Sequence, residues 1–152
     1  MKKIIVLILA IATVFALAAC GSDQDPNTIK IGDYQAVYKG SKIVKDCDKD
    51  DAIVSTFEYT NNSDEKKSFS WAFFYKINQG DKELSYTTVF VSEDSYDSLD
   101  ESSRKDVAPG ESLEVKITHK LNDLETPVQM DFTDLYDTDK KSLTIDLKSL
   151  DK

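Results

Sequence analysis

From residue 29 onward, hydrophobic and polar positions alternate with a period of two, which is typical of β-strands that bury one face. In residues 53–60, for example, Ile53, Phe57 and Tyr59 share one face and Glu58 lies on the other. Similar alternation, of varying strength, recurs between turn residues over segments 29–38, 42–45, 69–75, 86–91, 113–118, 128–132 and 143–147. We therefore predict an all-β domain of seven or eight short strands over residues 29–150.

The expected architecture is an immunoglobulin-like antiparallel β-sandwich, because two sheets packed face to face bury one face of every strand. A sheet closed on itself is the alternative. Segments 53–60 and 69–75 are expected to form the central antiparallel pair, with the turn residues 61–64 between them. Residues 92–104, rich in Ser and Asp, are expected to form a surface loop or a short helical turn.

An aromatic run lies within segment 69–75. If this segment is a strand, its core face carries four aromatic residues: Phe69, Trp71, Phe73 and Tyr75. Burial of Trp71 in the core is favoured over an exposed aromatic platform for carbohydrate or peptide, because aromatic side chains dominate core energetics. Phe74 lies on the opposite face, and it is therefore the candidate contact residue for a partner.

The first nineteen residues have the pattern of a secretory signal peptide. Lys2 and Lys3 precede the apolar segment 4–19, in which only Thr13 is polar. A membrane-spanning helix needs about twenty apolar residues, so this segment is short for a permanent anchor. Residues 1–19 are therefore predicted to be a cleaved signal peptide.

The sequence Leu-Ala-Ala-Cys at residues 17–20 resembles the lipobox of bacterial lipoproteins. The resemblance implies that the Cys20 thiol receives a diacylglyceryl group and that the chain is cut before Cys20. Two acyl chains are enough for stable anchoring. Residues 20–28 would then be the lipidated cysteine and a polar tether, and the protein would lie on the outer face of the cytoplasmic membrane.

The net charge of the processed chain restricts the classes of molecule that the protein can bind. Lys2 and Lys3 are the only charges in residues 1–19, so the processed chain keeps 17 basic against 28 acidic residues, a net charge of −11. An acidic surface of this size disfavours nucleic acid, and it makes the lipid rather than a basic patch the membrane contact. Cys47 is left without a disulfide partner within the domain and is expected to be buried, with intermolecular pairing as the alternative.

Two acidic segments are candidate cation sites. Asp46, Asp48 and Asp50 place oxygen ligands at alternate positions, as in a calcium loop, although glycine and glutamate are missing at the positions where such a loop needs them. A solvated hairpin turn is the favoured alternative. The second segment, residues 93–101, contains Asp97 and is either a weak cation site or a solvated acidic loop that contacts a partner.

Little in the chain points to catalysis. His119 is the one histidine; it follows Ile117 at strand spacing and is expected to face the core or end its strand. No serine lies in a Gly-x-Ser-x-Gly elbow, and one histidine with one free cysteine falls short of a zinc ligand set. We therefore predict no enzymatic activity, no catalytic residue and no cofactor. An envelope hydrolase would require a deep cleft with converging polar groups.

Three segments, 42–46, 57–65 and 107–111, resemble an uncharacterised family of Gram-positive surface lipoproteins, and the likeness spans most of residues 36–148. The resemblance implies a telokin-like, immunoprotective-extracellular type of immunoglobulin sandwich, with turns at 61–64 and at Pro109-Gly110. It implies no catalytic residue, substrate or cofactor. Cys47 departs from the family pattern, which has an aromatic residue between the two aspartates.

The sequence therefore predicts a membrane-anchored extracellular lipoprotein. Its non-catalytic immunoglobulin-like domain would bind a protein or envelope ligand. The alternative is a lipoprotein that acts as a divalent-cation-modulated sensor or as a small-ligand accessory protein.

Overall fold

The structure is a computed structural model that describes residues 25–92 and 94–150. Short strands joined by tight turns dominate it. The strands are β1 (Thr28–Ile31), β2 (Tyr34–Lys45), β3 (Asp51–Asn61), β4 (Lys67–Ser68), β5 (Phe74–Gln79), β6 (Lys82–Glu83), β7 (Asp106–Val107), β8 (Ser112–Lys120), β9 (Val128–Thr133) and β10 (Lys140–Ile145). An α-helical turn, α1, spans Phe69–Ala72, and 3-10 turns span Leu99–Arg104 and Leu147–Ser149.

The strands form two four-stranded antiparallel sheets, which confirms the all-β prediction. The first sheet has the order β1-β2-β3-β8 and the second β10-β9-β5-β6, while β4 and β7 form a separate pair. Since neither sheet closes on itself, the alternative of one closed sheet is wrong. The predicted central pair is also wrong: β3 pairs with β2 and β8, whereas β5 pairs with β9 and β6 in the other sheet.

One hydrophobic core lies between the two sheets. Alternate residues of β3, among them Phe57 and Tyr59, face Met130 and Phe132 of β9, and all four are fully buried. The rings of Phe57 and Phe132 meet edge-on, with their centroids 5.7 Å apart. The period-two pattern therefore located the inward faces of β3, β8, β9 and β10 correctly.

Predicted segment 29–38 contains parts of two strands, β1 and β2. Predicted segment 42–45 is the end of β2 and not a separate strand. β1 ends at Ile31, the chain turns, and β2 continues from Tyr34 to Lys45. The pairing register with β3 shifts between Tyr38 and Gly40, where Gly40 has a φ of +135°. A β-bulge at this glycine keeps the strand continuous where the sequence suggested a break.

The aromatic run is interrupted by α1, and the predicted burial of Trp71 is wrong. Phe69 and Phe73, four residues apart, are both buried, while Trp71 is 74% exposed. A helical turn replaces the two-residue period by 3.6 residues, so Trp71 points away from the face that Phe69 and Phe73 share. Phe74, the first residue of β5, is 42% exposed, as expected from its side of the predicted strand.

The segment between β6 and β7 covers the outer face of the first sheet, and we call its residues 84–92 and 94–105 the crossover. Val89 and Leu99 of the crossover pack on Ala52 and Val54 of β3, which face away from the main core. The predicted strand at 86–91 is wrong, because the crossover makes isolated bridges, such as that of Tyr86 to His119, instead of a ladder. Its 3-10 turn agrees with the helical turn expected within 92–104.

The crossover also occupies the free edge of β8. The Lys120 amide donates to the Ser85 carbonyl at 2.9 Å, and the Lys116 amide donates to Ser102 Oγ at 2.9 Å. Because the backbone groups at this edge already have partners, β8 is not open to an additional strand there.

The predicted signal peptide, Cys20 and most of the predicted tether lie outside the described residues. β1 begins at Thr28, one residue inside the predicted tether, and the Asn27 carbonyl accepts a hydrogen bond from the Tyr38 amide. Within the part of the chain that the structure describes, no helix has the length and apolar character needed to cross a membrane.

Candidate binding pocket

A small pocket lined by aromatic, aliphatic and polar side chains opens between β8 of the first sheet and β5 of the second, on the side closed by the crossover. Its volume is about 140 Å³. We call it the His119 pocket and define it by six lining residues: Ser70, Tyr75, Tyr86, Asp100, Arg104 and His119. These come from α1, β5, β8 and the crossover, so the pocket exists only once both sheets and the crossover have assembled.

His119 forms the floor of the pocket near the end of β8, as the strand spacing predicted. It is 8% exposed, and its ring meets Tyr75 edge-on with the centroids 6.2 Å apart. Burial lowers the pKa of His119 from 6.5 to about 4, partly offset by the nearby Asp100, so the imidazole is neutral at pH 7. No described residue forms a hydrogen bond with its Nδ1 atom.

Asp100 lies on the 3-10 turn of the crossover and is 3% exposed. Its Oδ2 accepts a hydrogen bond from Arg104 Nη1 at 2.6 Å, one turn further along. The pKa of Arg104 is raised, first by its interaction with the Tyr86 hydroxyl and then by Asp100. The other carboxylate oxygen, Oδ1, is buried and has no hydrogen-bond partner among residues 25–92 and 94–150.

The two serines beside the pocket bond to each other and to the backbone. Ser70 Oγ donates to the Ser103 carbonyl at 3.0 Å, and Ser103 Oγ donates to the Asp100 carbonyl at 2.7 Å. Neither hydroxyl bonds to His119, so the described residues do not form the nucleophile and base pair that acyl transfer requires. Among the described residues, the polar groups of the pocket therefore include a histidine, an ion pair and two serines that do not bond to the histidine.

The predicted cation ligands Asp46, Asp48 and Asp50 lie in the turn between β2 and β3. Asp46 is buried, and its Oδ1 accepts hydrogen bonds from the amides of Asp48 and Asp50, both at 2.9 Å. Its Oδ2 accepts from Thr87 Oγ1 at 2.7 Å, and this bond is the main reason that the pKa of Asp46 is lowered.

This aspartate turn is organised as a structural element. Asp50 forms an ion pair with Lys120, while Asp48 points to solvent. In the described ranges, no three His, Cys, Asp or Glu side chains are grouped so that they could hold a metal ion.

Cys47 is exposed, so the prediction that it is buried is wrong. The turn directs the neighbouring Asp46 inward, and the Cys47 amide donates to the Thr88 carbonyl at 3.0 Å. With its backbone held by the crossover, Cys47 lines a wide depression of about 680 Å³ together with Lys42 and Lys49.

The two predicted contact residues, Phe74 and Asp97, do not line the His119 pocket. Phe74 lines a different cavity of about 360 Å³ with Lys76 and Lys140. Asp97 is exposed in the crossover, where its carbonyl accepts a hydrogen bond from the Val91 amide.

The sequence reasoning placed His119 correctly but did not identify the pocket around it. Asp100 is one of several acidic residues in segment 93–101, and nothing in the sequence distinguishes it from the others. Its partner Arg104 is separated from His119 by about fifteen residues. The signal that was available is the four-residue spacing of Asp100 and Arg104, which suits an ion pair on a helical turn. Their proximity to His119 depends on the path of the crossover, and local periodicity does not specify that path.

A family model and two solved structures relate this chain to known proteins. A family model described as a domain of unknown function, DUF5067, matches residues 20–134. The fold is similar to that of a candidate lipoprotein from Staphylococcus aureus subsp. aureus NCTC 8325, with a TM-score of 0.65, 19% identity and coverage of 82% of this chain and 90% of the other. It is also similar to a protein from Enterococcus faecalis, with a TM-score of 0.57, 19% identity and coverage of 80% and 92%. No curated protein matches the sequence.

Proposed function

We propose that this chain, which belongs to the DUF5067 family through a match over residues 20–134, is a lipid-anchored extracellular protein that binds a ligand of the cell envelope through the His119 pocket without catalysis. Two four-stranded sheets around one core suit the immunoglobulin-like type of sandwich, to which we assign the domain. Recognition, rather than bond-making, is the proposed activity.

The anchoring part of the proposal depends on Cys20. The lipobox-like residues 17–20 follow an apolar segment of signal-peptide length, and the family match begins at residue 20. A solved structure with a similar fold is described as a candidate lipoprotein, which agrees with this assignment.

The observation that carries the binding part is that two of the three unpartnered buried side-chain atoms among the described residues, Nδ1 of His119 and Oδ1 of Asp100, belong to residues that line this pocket; the third, Ser68 Oγ, lies outside it. Leaving a buried polar group without a hydrogen bond costs about 1–3 kcal/mol, and such groups are rare enough in folded proteins to need an explanation. Both residues line the pocket, so a ligand that displaces the groups covering these two atoms can supply the missing hydrogen bonds. The absence of a serine bonded to His119 among the described residues favours binding over hydrolysis.

A labelling experiment tests the anchor. Cells of a Gram-positive host that express the full chain are grown with radiolabelled palmitate. The wild-type chain and Cys47→Ser, the matched control at the other cysteine, are expected to incorporate label, and Cys20→Ser is not. Label retained in Cys20→Ser, or absent from the wild type, would refute lipidation at Cys20.

Co-sedimentation with cell-envelope material freed of membrane lipid by detergent tests recognition, because the proposed lipid anchor would carry every variant into envelopes that still contain membrane. Tyr86→Ala alters the mouth of the pocket, where Tyr86 is 54% exposed, whereas Tyr96→Ala removes a tyrosine that is 96% exposed in the same crossover and does not line the pocket. We expect the wild type and Tyr96→Ala to sediment with envelopes, and Tyr86→Ala to bind at least tenfold more weakly. Equal binding by all three chains would rule out the pocket as the recognition site.

The divalent-cation alternative lacks comparable support. The Asp46 carboxylate already accepts three hydrogen bonds within its own surroundings. No second function is therefore proposed.

A further inference from the structure

We propose that the His119 pocket binds a single neutral sugar ring, so that the protein recognises an uncharged glycan unit; this inference rests on the proposed function. It is argued from the charge, the hydrogen-bonding groups, the size and the surroundings of the pocket.

The charges of the pocket cancel. Asp100 and Arg104 form an ion pair at 2.6 Å, and His119 is neutral at pH 7 because burial lowers its pKa to about 4. Burial raises the pKa of Tyr75, another residue that lines the pocket, so its hydroxyl also carries no charge at this pH. A charged ligand would have to lose its hydration without a free counter-charge, which is costly, whereas a neutral polar ligand avoids that cost.

The polar groups of the pocket can form hydrogen bonds with the hydroxyl groups of a ligand. Oδ1 of Asp100 is an acceptor, Arg104 has further N–H donors besides the one bonded to Asp100, and Nδ1 of His119 has no described partner. The side chain of Arg104 is 56% exposed, so ring hydroxyls can accept from its remaining N–H groups, and a hydroxyl that displaces the groups covering Oδ1 of Asp100 can donate to that oxygen as well. The half-buried Tyr75 and the exposed Tyr86 supply aromatic surface for the apolar face of such a ring.

The size and the surroundings exclude larger ligands. At about 140 Å³, the pocket is well below the roughly 300–1,000 Å³ typical of sites for drug-sized molecules, so it accommodates one ring or one end of a chain. An extended peptide that adds to the sheet is disfavoured, because the β8 edge already bonds to Ser85 and Ser102 of the crossover.

His119 provides a direct reporter, since it is the only histidine in the chain. We would record its ring signals by NMR on the full chain in zwitterionic micelles that contain no sugar head group. The neutral probes are methyl β-glucoside and N-acetylglucosamine. Glucosamine and glucuronate are charged probes of the same ring size, and N-acetylasparagine amide represents a peptide side chain.

The neutral sugars are expected to shift the His119 signals saturably, and the charged sugars to bind at least tenfold more weakly. Tyr86→Ala is expected to weaken neutral-sugar binding at least tenfold, and Tyr96→Ala to leave it unchanged. Asp100→Asn adds a second test inside the pocket, with circular dichroism to confirm that each variant is folded.

Three outcomes would overturn the inference. These are charged sugars binding as tightly as neutral ones, the amide probe shifting His119 in place of the sugars, or no probe shifting it. If pocket-dependent envelope binding persists in any of these cases, the proposed function stands and only the ligand class is wrong. If envelope binding is also independent of Tyr86, both the proposed function of the pocket and the inference of a neutral sugar ligand fail.

Discussion

Two buried polar residues, Asn61 and His119, show how differently single side chains are used in this fold. The Asn61 amide donates to the carbonyls of Glu65 and Val107, and its oxygen accepts from Ser63. These bonds tie the end of β3 to β7, so the polarity of Asn61 is explained by structure alone. His119 is also buried, but its Nδ1 bonds to no described residue. The contacts within the fold therefore do not explain why a polar atom lies at this buried position.

The buried His119 makes stability depend on pH. Its pKa is about 4 in the folded protein and 6.5 when unfolded, so the unfolded chain binds more protons between these values. The contribution of the neutral imidazole to stability is fully present above pH 6.5 and is lost as pH falls toward 4. At about 1.4 kcal/mol per pKa unit, the loss approaches about 3 kcal/mol.

Urea unfolding at pH 4.5 and pH 7.5 checks this prediction. We expect the wild type to lose more stability between the two pH values than His119→Gln, which has no group that titrates at this position. Asp100 and Arg104 face position 119 and are present in both proteins, so their own titration cancels to first order in the comparison. Equal losses in the two proteins would show that His119 is not held neutral by burial.

Neighbouring aromatic residues in and after α1 are predicted to differ sharply. Phe73→Ala removes a ring that is 1% exposed and should cost about 3–5 kcal/mol, whereas Trp71→Ala removes one that is 74% exposed and should cost about 0.5 kcal/mol or less. Thermal unfolding measures both. Acrylamide should also quench the fluorescence of Trp71, the only tryptophan, readily in the native state. A large destabilisation by Trp71→Ala would instead support the prediction from the sequence that Trp71 lies on the core face of a strand.

At the scale of elements, the sequence predicted strands correctly where one face of the strand is buried and the other is exposed to solvent. β8, β9 and β10 follow this rule, because alternate residues such as Val115 and Ile117 face the core. α1 and the crossover were not predictable in the same way. Trp71 fits a strand pattern by residue type, and Val54 fits a solvent position until the crossover covers it. Both outcomes depend on tertiary packing, which local periodicity does not contain.

The aspartate turn between β2 and β3 is predicted to be a structural element. Asp46→Ala leaves Thr87 and the amides of Asp48 and Asp50 without their acceptor and should destabilise the protein by about 2 kcal/mol. Asp48→Ala, at an exposed position two residues away, should change stability by about 0.5 kcal/mol or less. Urea unfolding measures both changes.

The same two variants test the cation alternative. Millimolar calcium or magnesium should leave the unfolding midpoint of the wild type unchanged, because Asp46 already has its hydrogen-bond partners. A calcium-dependent rise that Asp48→Ala abolishes would make the turn a metal site.

At the scale of the whole molecule, the tether and the charge define the setting of the pocket. Thr28, the start of β1, lies eight positions after the proposed lipid at Cys20, a reach of about 30 Å at most. With the proposed anchor the domain would stay close to the membrane, and the net charge of −11 expected after removal of residues 1–19 disfavours polyanions. An uncharged envelope ligand is compatible with both constraints.

The central claim, that the His119 pocket recognises the envelope, is tested most directly with the natural material. NMR of the His119 ring would be recorded for the full chain in micelles, before and after addition of solubilised envelope fragments. The account predicts that the ring signals shift or broaden in the wild type and in Tyr96→Ala, and that they stay unchanged in Tyr86→Ala. Signals that remain unchanged in the wild type, at fragment concentrations that retain the chain in co-sedimentation, would contradict it.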